Sequence, residues 1–305
     1  MTVRACGLTA AIVAATVSVA AQTQVFRGGT DLVLLNVTVL DGSGHNISGL
    51  AIDDFQVLED GVLQQISNFS RDPRPIALSL VIDSSTSMEQ RMAIAQQAAI
   101  GFVRRLTTRD VAQVIDFDSQ PIVLQPFTND AAALERAIQR TSAGGSTSLY
   151  NAVYIALSEL RQVRAQTAEE IRRQAIVLLS DGDDTSSLKT AEEVVDLAKR
   201  TDTLVYAISL RDKEERARGQ FSEADFVLRS LAQETGARVY FVNDATELEA
   251  IYVQIADELA NQYTLGYTSS NARRDGAWRR IQVKTTRPGT AARTRSGYFA
   301  PKASR

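Results

Sequence analysis

The chain has 305 residues, 44% of them apolar, which is enough for one large domain with an appendage, or for two domains, and excludes an intrinsically disordered protein. A formal charge of -3 excludes, for the chain as a whole, the electrostatic footprint of a nucleic-acid or anionic-membrane binder. The one cysteine, Cys6, excludes a disulfide framework.

Residues 1–21 read as a secretory signal. Arg4 precedes an apolar stretch from 10 to 21, and polar Gln22-Thr23-Gln24 follows. The stretch is short for a bilayer span of roughly 20 residues, and no later segment is apolar enough to span. The mature chain is therefore expected to be exported, to the periplasm, the cell surface or the medium, without a transmembrane span and, because Cys6 lies in the signal, without a thiol.

Residues 22–72 read as an N-terminal β segment. Val33, Leu35, Val37 and Val39 alternate with Leu34, Asn36 and Thr38 until Asp41-Gly42-Ser43-Gly44 breaks the run. Asp60-Gly61 between two further strand-like runs predicts a type I′ hairpin turn, which needs positive φ at both residues.

Residues 75–262 change character. Short apolar runs at 76–82, 111–117, 175–179, 204–210 and 239–242 alternate with amphipathic helical patterns, predicting a doubly wound, mostly parallel sheet with helices on both faces. Met88, Met92, Ala95, Ala99, Phe102 and Leu106 share one helix face, as do Leu248, Ile251, Ile255 and Leu259. The run at 122–127 follows its predecessor across Ser119-Gln120-Pro121, too short for a crossover helix, and is expected to pair antiparallel at an edge.

Residues 263–301 return to a period of two, with Ile281, Val283 and Thr285 alternating against Arg280, Gln282 and Lys284. Neither β segment alone can bury a core. The two are expected to join as one small β-sandwich, with the α/β domain inserted in it; two unrelated β appendages are the other reading. From residue 271 onward ten Lys/Arg stand against one acid, Asp275. Such a stretch could bind an anionic envelope polymer, but Arg280 and Lys284 read more simply as the wet face of a strand.

The chemistry concentrates at Asp83-Ser84-Ser85-Thr86-Ser87. Asp83 closes the first buried run, at the carboxyl edge where open α/β sheets bind ligands. In extended backbone the side chains of Asp83, Ser85 and Ser87 point one way. Together they offer oxygen donors and no sulfur or imidazole, which suits a hard cation such as Mg²⁺. The other reading is a strand-to-helix turn with serine caps. Two further segments bear on the choice: Gly144-Gly145-Ser146-Thr147-Ser148 precedes a helix, and 176–180 is a buried run ending in Asp181-Gly182.

Asp83-x-Ser85-x-Ser87, Thr147 after a Gly-Gly loop and Asp181-Gly182 after an apolar strand together resemble the metal-ion-dependent adhesion site of von Willebrand factor A domains. Carried over, Ser85, Ser87 and Thr147 would ligate the cation through hydroxyls, with Thr147 assigned by its spacing to Ala152. Asp83 and Asp181 would hold it wholly or partly through water. The flanks, with Gly49-Leu50 to Asp54-Phe55, Glu59-Asp60-Gly61-Val62, Tyr267, Arg280 and Gly297-Tyr298-Phe299-Ala300-Pro301, resemble the acidobacterial von Willebrand factor A-related family. The resemblance implies Mg²⁺, or Mn²⁺ or Ca²⁺, an Asp or Glu of a protein partner completing the shell, no nucleic-acid partner and no catalysis; it leaves oligomeric state open.

The rivals are a structural envelope module whose cation only rigidifies loops, and a hydrolase or phosphotransferase using Asp83. A haloacid dehalogenase-like site needs a second Asp where Ser85 stands. A serine hydrolase needs a base, and the one histidine, His45, sits in a Gly-Ser-Gly-His turn of the N-terminal segment. Asp183-Asp184 and the charged run 211–218 read as solvated loops.

Overall fold

The computed structural model describes residues 32–163, 172–181, 183–210 and 223–302. The signal-like segment 1–21, Gly182 and the run 211–218 lie outside these.

The central sheet forms because its strands bury both faces. β5 (Ile76–Asp83) is buried at all eight positions, with Ile76, Leu78, Leu80 and Ile82 in one core layer and Ala77 and Val81 in the other. Period-two alternation thus feeds two cores, and the strand reads as a continuous apolar run. With β6 (Val111–Phe117), β8 (Arg173–Ser180), β9 (Thr203–Ser209) and β10 (Val239–Phe241) it makes the parallel order β10-β9-β8-β5-β6. β7 (Pro121–Thr128) is added antiparallel at the edge beside β6, as its short connection requires.

One core layer holds α1 (Met92–Val103), α2 (Ala131–Ile138) and a final helix, α6 (Leu248–Ala260). The other holds α3 (Leu149–Leu160), α4 (Ala191–Arg200) and α5 (Glu223–Thr235).

The two chain ends form a sandwich in which every sheet mixes both segments. β1 (Leu32–Asp41) and β4 (Ile66–Ser70) join β11 (Tyr263–Thr268) and β13 (Thr290–Arg293) in the order β13-β1-β11-β4. β2 (Phe55–Glu59) and β3 (Val62–Gln64) join β12 (Trp278–Thr285) and β14 (Gly297–Phe299) in the order β14-β12-β2-β3. Val33, Leu35, Val37, Val57, Leu265, Ile281 and Val283 fill the space between the sheets. The α/β domain is therefore an insertion between β4 and β11. The expected hairpin is present, with φ of 49° at Asp60 and 84° at Gly61.

The basic C-terminal stretch divides. Arg280 and Lys284 are exposed on β12, as expected of a wet face. Arg279 is buried and paired with Asp275, and Arg293 reaches into the junction with the α/β domain.

Candidate metal centre

The site lies where β5, β6 and β8 end, at the carboxyl edge of the parallel sheet. Asp83, the last residue of β5, is fully buried. Its Oδ2 accepts from the Ser180 hydroxyl at 2.6 Å, and its Oδ1 from the Ser85 amide at 2.9 Å. Burial pushes its carboxyl up to about 6, against the pull of those hydrogen bonds, and the Asp181 charge adds to the rise. The ion pair of the pocket belongs to Asp181, whose Oδ2 lies 2.7 Å from Arg91 Nη1; Asp83 has no such cationic partner among the described residues.

Ser87 reaches the site differently from what strand alternation implies. Extended backbone continues only to Ser85, where a 3₁₀ turn, Thr86–Met88, begins, closed by the Met88 amide on the Ser85 carbonyl at 3.0 Å. That turn carries Ser87 back beside Ser85, so the two hydroxyls lie 3.0 Å apart. Ser87 Oγ in turn donates to Asp181 Oδ1 at 2.7 Å. Neither hydroxyl is spent as a cap: Ser85 precedes the 3₁₀ turn without a side-chain bond to it, and the N-cap of α1 is Arg91.

Thr147 is buried and placed by its main chain. Its amide donates to Thr185 Oγ1 at 3.0 Å, and its carbonyl accepts from the Thr185 and Ser186 amides at 2.8 and 3.1 Å. The Gly-Gly loop before it is clamped to the β5 loop. The Gly144 amide donates to the Ser84 carbonyl at 2.7 Å, and the Gly145 carbonyl accepts from the Thr86 amide at 3.2 Å and hydroxyl at 2.9 Å. Gly145 has φ of 71°, a conformation that favours glycine, and a Cβ there would fall 2.6 Å from Ser119 Oγ and displace that hydroxyl. Asp83, Ser85, Ser87 and Asp181 thus form one hydrogen-bonded chain, to which the Thr147 hydroxyl makes no bond among the described residues.

The donor chemistry fits a hard cation. Neighbouring oxygens of an octahedral Mg²⁺ shell stand about 3.0 Å apart, given bonds near 2.1 Å, and the Ser85 and Ser87 hydroxyls have that spacing. No three His, Cys, Asp or Glu side chains gather in a metal-holding group among the described residues, so the donor set depends on its hydroxyls.

Two residues of this pocket carry no local signature. Ser180 follows an apolar run and reads as its polar end, and Arg91 reads as a solvated helix-start cation. The four-residue spacing of Ser87 and Arg91 is the signal that could have found the latter, since that spacing brings side chains together across a helical turn. Asp183-Asp184, in contrast, are not merely solvated. Asp184 Oδ1 accepts from the Tyr150 amide at 3.2 Å and the Ser187 hydroxyl at 2.6 Å, and Asp183 Oδ1 from the Ala224 amide at 3.4 Å. The first turns of α3 and α5 have amides without intrahelical acceptors, and these carboxylates supply them. His45 stays an exposed turn residue of the sandwich, with Nδ1 3.4 Å from Asp41 Oδ2.

Residues 78–183 match the family model described as von Willebrand factor type A domain. The UPF0353 protein of Mycobacterium leprae is 27% identical over 236 residues, covering 71% of this chain and 69% of that protein. Among solved structures, the von Willebrand factor type A protein from Catenulispora acidiphila has a TM-score of 0.52 at 12% identity, covering 90% of this chain and 76% of that one. A mutant of the PilB minor pilin from Streptococcus sanguinis has a TM-score of 0.50 at 14% identity, covering 63% of each chain. At such identities the structural likeness speaks for the fold. Taken with the family match over residues 78–183, it gives the α/β domain the von Willebrand factor type A fold.

Proposed function

We propose that this chain is an exported adhesion module that binds a protein partner through a divalent cation, and that it catalyses no reaction. The observation that carries the reading is the run of hydrogen bonds from Asp83 through the Ser85 amide, and from the Ser85 hydroxyl through Ser87 to Asp181, with hydroxyls at octahedral spacing beside a buried carboxylate that has no cationic partner among the described residues. Mg²⁺, Mn²⁺ or Ca²⁺ would be held by Ser85, Ser87 and Thr147, with Asp83 and Asp181 behind them. When bound, the ion supplies a Lewis-acidic open position that accepts an Asp or Glu side chain from outside. Neutral hydroxyls leave its charge largely unquenched.

Export is supported by the signal-like segment 1–21, and no described helix is long and apolar enough to cross a membrane. The fold shared with a minor pilin is consistent with work at a cell surface. Catalysis is disfavoured because Asp83 is fully buried with both oxygens engaged, which leaves it no approach as a nucleophile. A purely rigidifying cation is disfavoured because the Ser84, Gly144, Gly145, Thr147 and Thr185 main chains already tie the three loops together.

The test is capture of partners from an envelope extract in Mg²⁺ and in EDTA, with Asp83→Ala alongside. A partner retained only in Mg²⁺, and only by the native chain, is expected. The same partner retained in all conditions would sink the proposal.

A further inference from the structure

We infer that Arg91 sets the charge of the site, making its cation-loaded form net positive and therefore selective for a carboxylate; this rests on the cation-site reading above. The Arg91 main chain starts α1, and its side chain makes no cap there. A cation at a helix N-terminus opposes the macrodipole, so something in the pocket must hold the guanidinium. Asp181 does: Nη1 to Oδ2 is 2.7 Å, the Asp181 side chain is fully buried, and the Arg91 side chain is 26% exposed at the mouth. The other Asp181 oxygen is occupied by Ser87.

The consequence follows from counting charges. Among the described residues of this hydrogen-bonded chain, two buried carboxylates, Asp83 and Asp181, stand against the guanidinium of Arg91, so the group carries one net negative charge. A divalent ion turns this to one net positive charge, which a single partner carboxylate neutralises. Without Arg91 the loaded pocket would be neutral and would hold its ion more tightly while attracting an anion less. Because the pair is largely withdrawn from water, salt screens it weakly. Arg91 thus exchanges cation affinity for anion affinity, acting through Asp181 as a positioning and charge-setting residue.

The experiment uses the full chain in native, R91K and R91Q forms. Mg²⁺ affinity is read by calorimetry, and acetate, as the simplest carboxylate, is titrated onto the Mn²⁺-loaded protein by water proton relaxation. R91Q is expected to bind Mg²⁺ more tightly and acetate more weakly, each by about fivefold or more, the size of one weakly screened charge at short range. R91K should stay near the native chain. If R91Q binds Mg²⁺ no more tightly, or binds acetate as well as the native chain does, or if R91K behaves as R91Q does, the assignment of Arg91 is overturned. A native chain that binds neither Mg²⁺ nor Mn²⁺ would instead overturn the cation-site reading beneath it.

Discussion

Arg293, on β13 of the sandwich, donates through Nη2 to Glu258 Oε1, on the last helix of the α/β domain. The same carboxylate oxygen takes the Tyr206 hydroxyl from β9 at 2.6 Å and the Thr38 hydroxyl from β1 at 3.1 Å. Gln262 Nε2 adds a bond to Thr38 Oγ1 at 3.0 Å. Central sheet, last helix and both ends of the chain therefore meet at one buried carboxylate. Removing its counter-charge by Arg293→Ala should cost about 3–5 kcal/mol, the usual penalty for orphaning one partner of a buried pair. Urea unfolding checks this, and a loss below about 1 kcal/mol would mean the pair does not organise the junction.

Gly236 is the second support of that junction. Its φ is 82°, and an added Cβ would stand 2.4 Å from the Thr294 carbonyl carbon and 2.5 Å from the Arg295 nitrogen, both main-chain atoms that cannot swing aside. Gly236→Ala should therefore lose more than the roughly 1–2 kcal/mol that a left-handed residue costs by itself. Thermal unfolding followed by circular dichroism should show one lowered transition, because the sandwich and the α/β domain share the contact.

Within the site, Gly145→Ala should weaken Mg²⁺ binding without touching a proposed ligand, since the added Cβ displaces Ser119 Oγ, which accepts from the Ser146 amide next to Thr147. Pairing it with Ser119→Ala separates the two causes. The contact is relieved in the double variant, so cation affinity should recover in part, while the left-handed backbone cost of about 1–2 kcal/mol stays in the unfolding free energy.

Ser180→Ala removes the hydroxyl 2.6 Å from Asp83 Oδ2 and leaves a buried carboxylate oxygen short of a donor. A loss of about 1–3 kcal/mol is expected from that deficit. Mg²⁺ should restore more stability to this variant than to the native chain, since the ion supplies the charge compensation that the hydroxyl gave. Paired melting curves with and without Mg²⁺ measure it.

Much of this fold could be read from the chain because its signals are local. Asp60-Gly61 specified its turn, the all-buried run from Ile76 announced a two-faced strand, and the short link at Ser119-Gln120-Pro121 forced β7 antiparallel. The joining of the two β segments followed from their inability to bury a core separately. At the site, the strand-end carboxylates were legible because the sheet edge fixes where they stand. What was not legible acts across long separations. Ser180 serves Asp83 from 97 residues away and Arg91 serves Asp181 from 90, so neither partnership is written locally, and only the spacing of Arg91 from Ser87 points toward the second. Glu258 belongs to the same class, a charge within an amphipathic helix whose partners come from β1, β9 and β13. The path of Ser87 failed for another reason, since alternation assumes a strand and the chain had already turned into a 3₁₀ helix.

The central claim is that Asp83, Ser85 and Ser87 belong to a divalent-cation site, and calorimetric titration of Mg²⁺ into the EDTA-treated, desalted chain tests it most directly. The native protein should bind one ion per chain; Ser85→Ala and Ser87→Ala should each weaken it by about 10–100-fold, the range known for metal-site support residues, and Asp83→Ala should abolish it. Binding of equal strength in all four proteins, or none in the native chain, would contradict the account.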